Sequence, residues 1–175
     1  MAYARAAVRY AKSLIQLSVE QGSLDSVKAD MDLIRLTCAG SKELVLLLDS
    51  PVVRADKKLA VFNAIFGSKL SELTVKFVKV LTDKGRESLI DDISYAFEDQ
   101  YLAKNNILRT IVKSVDGLSD DFKFKVSELV KQAYGKDVEI IEEKDPTLIG
   151  GFVLTIGDKQ VDASISRKLA ELEKE

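Results

Sequence analysis

The 175-residue chain has no histidine and one cysteine, Cys38. The first absence removes the commonest general base and metal ligand, and the second excludes an internal disulfide. Without a histidine to activate it, Cys38 is expected to be a small core residue rather than a nucleophile. Charge of either sign is not in excess: the net charge is -2, which gives no electrostatic case for nucleic acid. Lys123, Lys125, Lys131 and Lys136 are interleaved with Asp120, Asp121, Glu128 and Asp137, so they form no basic groove. Long apolar runs are also missing. The longest, Leu44 to Leu48, falls far short of the ~20 residues of a membrane span. Arg5, Arg9 and Lys12 break up the N-terminus, which argues against a signal-peptide core, and a helix beginning at once argues against a transit peptide. No glycine-rich phosphate loop is present, since Gly150-Gly151 lacks the following lysine and precedes a strand rather than a helix. The neighbouring acids Asp91-Asp92 and Glu142-Glu143 do not converge on one metal. The expectation is a protein with no catalytic residues, no cofactor and no metal.

What is present is amphipathic helix. Hydrophobic residues make up 46% and charged residues 31% of the chain, the balance of a globular protein. Helix 1, about Tyr3 to Gln21, carries two adjacent apolar stripes, Tyr3-Ala7-Tyr10-Leu14-Leu17 and Ala4-Val8-Ala11-Ile15-Val19. Together they span an arc of roughly 200°, about twice what one-sided burial requires. Either helix 1 is a central helix covered on both sides, or one stripe packs inward and the other receives a partner helix. Five further helices follow: Leu24 to Cys38, Ser41 to Leu48, Arg54 to Phe66, Ser71 to Asp83 and Ser88 to Lys104. Helix 4 is expected to bury Leu59, Phe62 and Ile65. Helix 5 is expected to bury Leu73, Phe77, Val80 and Leu81, with Val75 and Val78 extending that side. Residues 1–105 thus read as a six-helix bundle.

After the polar link Lys104-Asn105-Asn106 the period changes. Alternation from Ile107 predicts a strand, Ser119 caps a helix to about Tyr134, and Asp137 to Glu142 predicts another strand. Phe152, Leu154 and Ile156 alternate with Val153 and Thr155, Gly157-Asp158 turns the chain, and Gln160-Val161-Asp162 returns. A last helix, Ser164 to about Glu173, completes a β-α-β-β-β-α unit over residues 106–175, small enough to be marginal alone.

Several of these stretches resemble one family. Arg9-Tyr10-Ala11-Lys12-Ser13-Leu14, Lys84-Gly85-Arg86, and the closing segment from Asp145 through Gly151-Phe152-Val153-Leu154, Gly157-Asp158, Val161-Asp162-Ala163-Ser164-Ile165 and Arg167-Lys168-Leu169 are similar to the delta subunit of F-type ATP synthases. That family includes the mitochondrial oligomycin-sensitivity-conferring protein. The likeness covers essentially the whole chain; Ser13 stands where the family often has alanine. It implies a non-catalytic peripheral-stalk, or stator, subunit, present in one copy per complex. The N-terminal domain would hold the N-terminal helix of an alpha subunit, and the C-terminal domain would hold the b subunits. The stator would keep the head from turning with the rotor, so that ion flow is coupled to ATP synthesis. It implies a peripheral protein at the cytoplasmic face of a bacterial inner membrane, held by protein contacts. Helices 1 and 5 are then expected to flank an apolar groove, with Tyr10, Ser13, Leu14 and Leu17 on one wall and Phe77, Val78 and Leu81 on the other. Gly150, Gly151, Phe152, Gly157 and Asp162 are expected either to receive the b subunits or to shape the hairpin. The alternative is a free-standing helical adaptor unrelated to energy coupling.

Overall fold

The computed structural model describes residues 3–115, 117–157 and 159–167. The chain divides into two compact units, Met1–Tyr101 and Leu102–Glu175, whereas the change of sequence period places the boundary at 105/106. The chain is mainly helical, with a small four-stranded mixed sheet. Among the described residues, no helix is long and apolar enough to cross a membrane.

The first unit contains α1 (Arg5–Glu20), α2 (Leu24–Gly40), α3 (Lys42–Asp49), α4 (Ala55–Phe66), α5 (Glu72–Asp83) and the start of α6 (Ile90–Lys104), with short 3-10 turns at Gly67–Lys69 and Glu87–Leu89. Local chemistry sets several ends. The Ser41 and Ser71 hydroxyls accept from the amides of Leu44 and Thr74, supplying two N-caps. One core joins these helices, built on Ala7, Ala11, Leu14, Met31, Ile34, Phe62, Phe66, Leu81, Ile93 and Phe97. At roughly 1.5–3 kcal/mol for each large apolar side chain fully buried, this cluster is the main force holding the unit together. Cys38 is part of it, 3% exposed.

Two helices turn differently from the expectation. On α4, Phe62 and Phe66 are buried together with Lys58, while Ile65 is exposed and Leu59 half-buried. The Lys58 ammonium donates to the Leu48 carbonyl and pairs with Glu87, and these partners let a charged residue face inward. On α5 the inner face is Thr74, Val78, Leu81 and Thr82, and Val80 is exposed. Here too polar residues are satisfied. Thr82 donates to the Val78 carbonyl. Asp30 of α2 accepts from the Ser71 amide, the Ser71 hydroxyl and the Thr74 hydroxyl at 2.9, 2.5 and 2.7 Å. The Asp30 carboxylate therefore ties α2 to the first turn of α5; Leu73 and Phe77 pack half-buried at the border of the core, and Val80 is turned out.

Lys104 ends α6, and Asn105-Asn106 turns the chain, with Asn106 at φ 56, a left-handed conformation that asparagine tolerates better than most residues. In the second unit β1 (Ile107–Ser114) pairs in parallel with β2 (Asp137–Lys144), joined by α7 (Asp120–Tyr134). β3 (Gly151–Ile156) runs antiparallel to β1, and β4 (Lys159–Ser164) antiparallel to β3, giving the order β2-β1-β3-β4. Period-2 geometry puts Thr110, Val112 and Ser114 on one face with Glu142 and Phe152. α7 covers that face: Phe122 meets Phe152 edge-on with centroids 4.7 Å apart, and Lys123 pairs with Glu142 at 2.9 Å. Of the expected last helix, residues 165–167 are helical. Lys168 to Glu175, and Asp158 of the hairpin turn, lie outside the described residues.

Candidate functional site

The inner sector of α1 is Ala7, Ala11, Leu14, Ile15 and Ser18. It lies between the two apolar stripes, so each stripe gives its inner edge to the core and shows its outer edge. On one side of this sector Tyr10 is half-buried and Leu17 is 40% exposed. The Tyr10 ring meets Phe77 of α5 edge-on, with centroids 6.2 Å apart. Arg86 donates from Nη1 to the Tyr10 hydroxyl at 2.9 Å, and its guanidinium carbon lies 5.6 Å from the ring centroid. A cleft of about 230 Å³ opens beside them, lined by Ala6, Arg9, Tyr10, Ser13 and Arg86. On α5, Leu73, Phe77 and Val80 recur at helical spacing along the facing edge, with Val80 46% exposed.

The turn that carries Arg86 has a local cause. α5 ends at Asp83, and Gly85 sits at φ 63. The Gly85 amide donates to the Thr82 carbonyl at 2.9 Å and the Arg86 amide to the Leu81 carbonyl at 2.8 Å, the paired bonds of a Schellman cap. The cap folds the chain back toward the helix, and the next residue, Glu87, is fixed by the Lys58 pair.

The structure brings Tyr10, Ser13 and Phe77 to this edge with Leu17, and removes three residues expected there. Leu14 is 1%, Val78 3% and Leu81 0% exposed; they are core residues and do not line this cleft. The reason is phase. On α1, Leu14 lies about 40° nearer the core direction than Tyr10, and on α5 the inward turn imposed by Asp30 buries Val78 and Leu81 and turns Val80 outward. Arg86, Arg9 and Ala6 line the cleft and are not among the residues the sequence pattern offers. The Lys84-Gly85-Arg86 turn was the available signal for Arg86.

A second cleft of the same unit, about 310 Å³, lies between α3 and α4 and is lined by Ser41, Glu43, Leu44, Leu47, Val61 and Ile65. In the other unit a cleft of about 340 Å³ is lined by Ser114, Gly117, Leu118, Ser119, Phe122, Gly151 and Phe152. Gly151 and Phe152 thus share one site, while Gly150, Gly157 and Asp162 do not line it. Gly151 sits at φ 82, and a Cβ there would lie 2.5 Å from the Ala163 carbonyl oxygen. Its lack of a side chain lets β3 and β4 approach. Gly157 turns the hairpin at φ 56. Asp162 accepts from the Ser164 amide, and its hydrogen bonds hold its carboxyl below the ordinary range.

The family profile described as ATP synthase delta (OSCP) subunit matches residues 6–175. The ATP synthase subunit delta of Cytophaga hutchinsonii is 38% identical over 168 residues, covering 96% of this chain and 92% of that protein. That of Chlorobaculum tepidum is 34% identical over 172 residues, covering 98% and 95%. A chain in the Toxoplasma gondii mitochondrial ATP synthase hexamer shares the fold, with a TM-score of 0.72 at 22% identity over 96% of this chain and 95% of its own.

Proposed function

The chain belongs to the ATP synthase delta (OSCP) subunit family, and on that premise we propose that its two units grip different partners: the α1–α5 edge an alpha-subunit N-terminal helix, the sheet unit the ends of the b subunits. It is a non-catalytic stator subunit of ATP synthase. Its contribution is mechanical, and what has to be explained is how surfaces without chemistry hold a load.

The observation that carries the alpha-subunit reading is the apolar edge of Leu17, Tyr10, Phe77 and Val80, left half-open beside a cleft instead of being closed by the unit's own helices. An amphipathic helix laid along it would cover these side chains in the helix-in-groove mode. Tyr10 suits an anchor: its ring is apolar and already held by Phe77, and its hydroxyl is bonded to Arg86. In the second unit, the cleft holding Phe122, Gly151 and Phe152 is the surface we assign to the b subunits. Gly150, Gly157 and Asp162 then shape the hairpin that frames it. The protein sits at the cytoplasmic face of a bacterial inner membrane, one copy per complex, held there through these partners.

Native mass spectrometry of the membrane-released complex tests this reading. Co-release of the full chain with alpha, beta and b subunits is expected. Recovery of the chain alone, or with proteins outside the synthase, would instead favour a free-standing adaptor.

A further inference from the structure

The cleft beside Tyr10, between α1 and the turn after α5, is mixed in character: Ala6 and the Tyr10 ring are apolar, Ser13 is polar, and Arg9 and Arg86 are cationic. Arg9 and Arg86 are two of the five residues that line it, and no carboxylate lines it. Among the described residues neither arginine forms an ion pair, whereas Lys28, Arg35 and Lys58 of the same unit each do. Arg86 spends one N–H on the Tyr10 hydroxyl. A guanidinium carries five donors in a flat fork suited to a carboxylate, so the cleft has unspent donors of one sign. The Schellman cap and the Lys58–Glu87 pair hold the chain on either side of Arg86, so little ordering remains for a partner to impose.

We propose that Arg86, with Arg9 beside it, selects the docked helix by pairing with a carboxylate on that helix, next to the apolar residues that cover Tyr10 and Phe77. The inference rests on the docking reading above and names the chemistry of its partner: an alpha-subunit N-terminal helix with Asp or Glu flanking its apolar face. Arg86 then has two tasks. It holds the Tyr10 ring in place, and it reads the acidic residue. The two are separable because the first is short-range and the second is electrostatic and screened by salt.

The test is calorimetric titration of the full chain with a synthetic peptide covering the first ~25 residues of the alpha subunit from the same complex, between about 20 and about 500 mM salt. Wild-type affinity is expected to fall with salt. Arg86→Met is expected to bind about fivefold more weakly at low salt and to lose most of the salt dependence, with Arg9→Met showing a smaller change of the same kind. Arg86→Lys is expected to keep most of the salt dependence. Lys125→Met in the second unit is expected to keep the wild-type slope. Circular dichroism checks that each variant is folded. Wild-type binding that ignores salt, or an Arg86→Met variant with the wild-type salt slope, would overturn the proposal while leaving the docking reading intact. No wild-type binding at any salt would overturn both.

Discussion

Lys58 and Glu87 form an ion pair at 2.7 Å inside the helical unit, with side chains only 5% and 11% exposed. Lys58 also donates to the Leu48 carbonyl at 2.7 Å, so one ammonium fastens the end of α3, the first turn of α4 and the turn after α5. That turn carries Arg86. The pair is a fixed point behind the cleft.

Removing one partner leaves the other charge buried. Lys58→Ala is expected to cost about 3–5 kcal/mol, read as a lowered midpoint in urea unfolding with an unchanged slope. Lys58→Met with Glu87→Leu removes both charges and is expected to recover most of the loss. No recovery in the double variant would mean that Lys58 acts through shape and not through the pair.

Tyr10 and Leu14 are neighbours on one stripe of α1 but do different things. Leu14→Ala is expected to destabilise the fold by about 2–5 kcal/mol, the range for emptying a core position. Tyr10→Ala is expected to weaken alpha-peptide binding by about 2 kcal/mol with helical content unchanged. Parallel measurement of thermal unfolding and peptide affinity separates them. A Tyr10→Ala variant that binds as wild type would remove Tyr10 from the site.

The difference between Tyr10 and Leu14 also marks where sequence periodicity stops being informative. The helices, the change to strand period after Asn106 and the Ser41 and Ser119 caps follow from local pattern. So do the ends at Gly67 and Gly135, where φ is 43 and 65. The phase of α4 and α5 does not. Lys58 faces inward because Glu87 is there, 29 residues away, and Thr74 because Asp30 is there, 44 residues away. A local apolar count therefore ranks Val80 above Thr74, while it places Val78 and Leu81 on the buried side correctly. The count also does not separate the half-buried Leu73 and Phe77 from the fully buried Val78 and Leu81, so it offers all of them as groove lining.

The glycine pair before β3 divides into two cases. At Gly151 a Cβ would meet backbone, and the φ of 82 is strained for any other residue. Gly151→Ala is expected to cost the second unit at least ~1–2 kcal/mol, seen as faster amide exchange in β3 and β4. At Gly150 the obstruction is the Cδ1 end of Ile165, at 2.6 Å, which can move aside. Gly150→Asp is expected to keep the sheet and impair b-subunit attachment more than alpha-peptide binding. Equal loss of both would indicate misfolding.

Cys38 gives a reporter for the first unit. Burial, reinforced by the charge of Asp91, pushes its thiol up to about 12, so it carries almost no thiolate at neutral pH. Iodoacetamide is expected to leave the native chain unlabelled at pH 8 and to label it as the unit unfolds in urea. Fast labelling of the native protein would contradict the burial of Cys38.

The claim that most depends on the structure is that the open edge between α1 and α5 is where a partner helix lies. Amide shift mapping of the labelled full chain on addition of the alpha-subunit N-terminal peptide addresses it directly. Changes are expected to cluster at residues 6–17 and 73–86, with the α3–α4 cleft silent. Changes centred instead on Ser41, Leu47, Val61 and Ile65, with Tyr10 and Phe77 unmoved, would contradict it.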